Sequence, residues 1–130
     1  QTMQGFTGRP SKEVTFTRGS QSITYTVLSL PPLFMGMVRG ALPYTGKKDD
    51  HALEMRALIL AAEGLRQGGE DIPPHPDPGA PADDWRAYAG NLSDLYARAG
   101  LTVAQVNAIG LAVSELDQFV TDELDTVGNG

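Results

Sequence analysis

The chain has 130 residues, 41% of them apolar and 20% charged, with a net charge of −6 and no cysteine. That length suits one domain, and enough apolar side chains are present to offset chain entropy, so disorder throughout is not expected. Disulfides, cysteine-ligated zinc and a thiol nucleophile are excluded. The charge is unevenly spread. Residues 1–48 hold six cations against one acid (Glu13), giving +5, and residues 49–130 hold four arginines against fifteen acids, giving −11. The acidic part argues against nucleic acid as a partner, because phosphate recognition draws on clustered cations. The two signs fit head-to-tail self-association, or a basic half docked on its own acidic half. No apolar run approaches the ~20 residues of a bilayer span. With its cysteine-free composition and a polar N-terminus unlike a signal peptide, the chain is expected in the cytoplasm.

Residues 1–12 read as an unanchored arm. Val14 and Phe16, then Ile23, Tyr25 and Val27, alternate with threonines on either side of Arg18–Ser22. This period of two predicts a β-hairpin with one apolar face, which requires a helical cover. Pro31 and Pro32 place a helix start near Pro32, running to Leu42 before Pro43. Gly36 and Gly40 weaken that helix by roughly 1 kcal/mol each relative to alanine, and either admit a close backbone or leave it loose.

Tyr44 to Lys48 is a polar turn. Asp49 and Asp50 then suit a helix N-terminus, and residues 51–67 follow with apolar positions most of the way round, as in a buried or doubly packed helix. Gly68-Gly69 ends it. Five prolines in residues 70–81 make an extended connector that either folds back or separates two halves. A helix opens at Pro81-Ala82-Asp83-Asp84, carries Trp85, Tyr88, Leu92 and Tyr96, and stops at Gly100. Thr102 and Gln105 form a capping box, with Leu101 stapled to Val106. The last helix carries Val106, Ile109, Val113, Leu116 and Val120. So short a link predicts an antiparallel helical hairpin over residues 82–124, with 125–130 as a fraying tail. The expected fold is α+β, mainly helical, with residues 13–69 forming the hairpin and two helices.

Chemistry has little purchase. His51 and Glu54 stand one turn apart, but a metal site of that type needs further carboxylates and a second such motif. His75-Pro76-Asp77 lies in the connector, where rigid support for catalysis is scarce. Asp49-Asp50 and Asp83-Asp84 are accounted for by the helix dipole. No phosphate loop or nucleophile elbow occurs. An enzyme would need a pocket with convergent polar groups around His51, Glu54 and Glu63. The expectation is no catalytic residue, no cofactor and no metal.

The run Glu13-Val14-Thr15-Phe16-Thr17-Arg18-Gly19, with Ile23-Thr24-Tyr25-Thr26-Val27-Leu28-Ser29-Leu30-Pro31-Pro32, resembles the opening of tailed-phage tail assembly chaperones, in which a short hairpin leads into a helical body. The resemblance extends over about residues 13–66. It implies a cytoplasmic protein of the infected cell that holds the tape-measure protein and recruits tail-tube subunits. Holding a helical client needs apolar grooves between helices and no catalytic group. Residues 14–42 are the candidate partner surface, centred on Leu33, Phe34, Met37, Val38 and Arg39, with Met35 beside them. The alternative is a small acidic regulatory binder, antitoxin- or inhibitor-like, with the acids of residues 70–125 on one face.

Overall fold

The structure, a computed structural model, describes the backbone of residues 8–43, 46 and 50–129, and their side chains except for residues 50 and 117–129. The chain is α+β and mainly helical. Strands β1 (Ser11–Arg18) and β2 (Gln21–Leu28) form an antiparallel hairpin, followed by helices α1 (Phe34–Ala41), α2 (Asp50–Gln67), α3 (Ala82–Arg98) and α4 (Val103–Asn129).

The hairpin closes tighter than the pattern predicts, because Arg18 pairs with Gln21 and only Gly19-Ser20 remain in the turn. Gly19 has φ +63, which suits the first central position of a two-residue hairpin turn. Val14 faces Tyr25 and Phe16 faces Ile23 on the apolar side. The other side is a ladder of hydroxyls, Thr15 to Thr24 at 2.8 Å and Thr17 to Ser22 at 3.0 Å. The apolar face is covered by α2 and α4, and Val27 is sealed completely. Residues 11 and 12 belong to β1, the Pro10 carbonyl accepts from Ser29 N–H, and Arg9 donates to Gln67, so the arm expected over 1–12 is anchored from residue 9 to residue 12. Residues 1–7 lie outside the described residues, as do Lys47, Lys48 and Asp49.

The central element is α2, which packs on β2, α1, α3 and α4. Its one glycine, Gly64, sets the distance to α4. A Cβ on Gly64 would stand 2.3 Å from Val113 Cγ2, so α4 approaches α2 as closely as it does only because none is there. The end of α2 is a Schellman cap. Gly69, at φ +106, donates to the Arg66 carbonyl, and Glu70 N–H donates to that of Leu65. Gly100, at φ +77, repeats the arrangement at the end of α3, with Leu101 N–H on the Tyr96 carbonyl.

The capping box is formed as read: Gln105 N–H donates to Thr102 Oγ1 at 3.2 Å, and Thr102 N–H donates to Gln105 Oε1 at 2.9 Å. Val106, Ile109, Val113 and Leu116 form the buried seam of α4, while Val120 falls outside the described side chains. The α3–α4 corner departs from expectation. The two helices change direction by 115° and each packs on α2, so they splay and do not form an antiparallel hairpin. The short link fixes only that the ends are adjacent, and the capped corner sets the angle. The backbone of α4 also continues to Asn129, past the tail expected from residue 125, as neither proline nor glycine interrupts residues 111–127.

The connector folds back. Tyr88 Oη donates to the Pro73 carbonyl at 2.8 Å, and Ile72 and Ala80 pack against the core. His75 stacks on Trp85, with centroids 5.7 Å apart and planes at 13°. The prolines forbid regular structure without forbidding a packed strap.

Candidate partner-binding surface

Helix α1 starts two residues later than Pro32. Pro31-Pro32-Leu33-Phe34 is a β-turn closed by Phe34 N–H on the Pro31 carbonyl at 3.2 Å. Leu33 occupies its third position with φ 74 and ψ −8. That is a type II turn, whose third residue is usually glycine or asparagine. Leu33 is the sole non-glycine residue with positive φ among the described residues, and its side chain is 89% exposed. A leucine therefore sits in a strained conformation while burying almost nothing.

Two apolar clefts flank this ridge. One, of about 500 Å³, lies between α1 and the connector, with Phe34, Met37, His75 and Pro78 in its walls. The other, of about 410 Å³, lies on the Pro10 side with Leu30 and Met35. His75 is held in the first by Trp85 beneath it, by the edge of Phe34 at 5.4 Å, and by its own Nδ1–H, which donates to the Pro76 carbonyl at 2.7 Å. Gly36 and Gly40 face outward with open space where a Cβ would be, so no described part of the chain makes use of their small size.

The five residues expected to bind a partner divide by burial. Leu33 and Arg39 are exposed and Met37 is half-buried, but Phe34 and Val38 are core residues, 4% and 0% exposed, that fasten α1 to the body. Helical spacing puts positions 34, 38 and 42 on one face, and that face turns inward. Pro31 and Pro32 lie within the expected 14–42 surface, whereas His75 and Pro78 were missed as surface residues. His75 and Pro78 are distant in sequence and reach the cleft only because the connector folds back.

The candidate catalytic groups do not meet. His51 and Glu54 form an exposed pair at 3.5 Å near the start of α2, whereas Glu63 is buried about 13 Å further along the helix axis. Glu63 lies 3.4 Å from Arg66 Nε and accepts from Gln67 at 3.5 Å. Among the described residues no three metal-ligating side chains converge. The basic half is partly engaged within the chain: Lys12 pairs with Glu115, Arg9 donates to Gln67 and the Ser29 carbonyl, and Arg18 donates to the Gly100 carbonyl. No single described helix is long and apolar enough to cross a membrane.

Burial, and then the Glu63 carboxylate, push the Tyr88 hydroxyl from 10.0 up to about 12, with Arg66 opposing. The fold thus favours the neutral phenol. Its contribution is intact below pH 10.0 and is lost as pH rises towards about 12. Urea midpoints should fall across that window, and less steeply in Tyr88→Phe; equal slopes would count against this origin.

No protein-family model matches the chain, and no curated protein or solved structure shows significant similarity to it.

Proposed function

We propose that this chain is a non-catalytic protein-binding protein that captures an apolar helical segment of a partner on the α1 edge. The supporting observation is Leu33, exposed and held in the left-handed region between two apolar clefts. Strain at an exposed apolar residue brings the isolated fold no benefit, and it is accounted for if a partner covers it. The outward glycines let a helix approach α1, and Arg39 on the same outer side favours an acidic residue in that helix. The resemblance to tail assembly chaperones suggests which segment: a stretch of the tape-measure protein, held in the cytoplasm of the infected cell while tail-tube subunits are recruited. Self-association belongs to this reading, on the opposite net charges of residues 1–48 and 49–130.

The test separates binding from folding. Leu33→Gly should raise stability by about 1 kcal/mol, because glycine adopts positive φ freely and little burial is lost. The same change should weaken binding of a synthetic amphipathic helix, with leucines at i, i+3, i+4 and i+7 and one glutamate, by roughly tenfold. Binding is read by fluorescence of Trp85, which stacks on the cleft residue His75. Unaltered affinity in both Leu33→Gly and Leu33→Asp would remove α1 from the account.

A further inference from the structure

A third cleft, of about 290 Å³, lies on a different part of the molecule, where the C-terminal ends of α2 and α3 come together beside β2. Its floor includes Tyr25, Leu65, Ile72 and Tyr96, and Glu70 and Asp71 stand at its mouth. We propose that this cleft binds an organic cation, an ammonium or guanidinium group carried on an apolar body.

Three observations lead there. Tyr25 is 8% exposed, yet among the described residues its hydroxyl has no hydrogen-bond partner; it is not sealed in the core and Tyr25 lines the cleft. The ring is packed away while the hydroxyl opens to the cleft, within reach of a ligand's donor. Second, neither Glu70 nor Asp71 forms an ion pair among the described residues, and Glu70 is near enough to Tyr25 to add to the effect of burial in raising its hydroxyl's pKa. Third, Leu65 belongs to the last turn of α2, and Leu95, Tyr96 and Arg98 belong to the last turn of α3. Both helix ends direct partial negative charge at the site. Arg98 is the one described cation on the rim and opposes the others.

The source of the cation is either a free amine or a basic side chain of a polypeptide, and the chemistry is shared. Phenethylamine, N-acetylargininamide and, as the anionic counterpart, phenylacetate would be titrated into the whole chain and followed by amide NMR shifts at residues 70–72 and 99–101. Saturable shifts with phenethylamine alone assign the cleft to small amines. Shifts with N-acetylargininamide assign it to a basic side chain. Glu70→Gln with Asp71→Asn should weaken binding about fivefold, Tyr25→Phe about threefold, and Arg98→Ala should tighten it. All four positions are at the surface or lose only a hydroxyl, so the spectrum of each free variant serves as the check on folding. Equal shifts with phenylacetate, unchanged affinity in the double carboxylate variant, or weaker binding in Arg98→Ala would each overturn the assignment.

Discussion

Gly68→Ala is expected to destabilise the fold by about 3 kcal/mol, at the upper end of overpacking costs. The added Cβ would lie 1.9 Å from the Thr26 carbonyl oxygen, 2.7 Å from its carbon and 3.3 Å from Val27 Cα. All three are backbone atoms of β2, so no rotamer change relieves the clash. Either the end of α2 lifts away or the strand moves, and Val27 beside it is fully buried. In a chain of this size the melting temperature should fall by about 12 °C. The adjacent Gly69 supplies the control. It has open space around it but φ +106, so Gly69→Ala meets only conformational strain, about 1 kcal/mol. Thermal melts of the two variants should therefore differ severalfold, and equal losses would mean that the contact with Thr26 is not what places the hairpin.

Trp85→Ala should cost about 4 kcal/mol, because Trp85 is the largest fully buried side chain and its removal leaves a cavity that helices fixed at both ends cannot fill. The loss extends beyond the core. His75 rests flat on the indole, so the connector and one wall of the cleft beside Leu33 lose their support together. Trp85→Phe should be much milder: it keeps an aromatic floor and removes Nε1, a buried N–H with no acceptor among the described residues. Urea unfolding of the two variants, with amide shifts of Ile72, His75 and Asp77 as the local readout, tests both effects. A tryptophan-to-alanine variant with an unchanged connector would show that the strap holds without the stack.

Local signals were legible where the chemistry is local. The threonine alternation specified the hairpin, and the Thr102–Gln105 pair and the two C′ glycines specified where helices start and stop. What the sequence withheld depends on contacts between distant residues. Proline density in residues 70–81 rules out regular structure, but the attachment of Pro73 to Tyr88 and of His75 to Trp85 becomes visible only once α3 lies alongside. The α3–α4 corner was misjudged because adjacency was taken for packing, whereas α2 is the helix on which both pack. Phe34 and Val38 were read as surface because α1 is short and apolar on several sides, and periodicity alone does not say which side is inward. Leu33 could not be anticipated: a type II turn is signalled by glycine or asparagine at its third position, and this turn carries leucine.

The ties that hold the hairpin also dictate when it can form. Its bonds reach across the chain: Arg9 to Gln67, Arg18 to the Gly100 carbonyl, and Lys12 to Glu115, a separation of 103 residues. Its apolar face is covered in part by α4, the element furthest from it in chain order among those described. An isolated hairpin is marginal in water, so β1 and β2 remain without stable partners until α4 has followed. Folding is then late and concerted, and a chain stalled before α4 exposes Tyr25, Val27 and the underside of α2 together, the surfaces through which an unfinished copy would aggregate or be recognised for degradation.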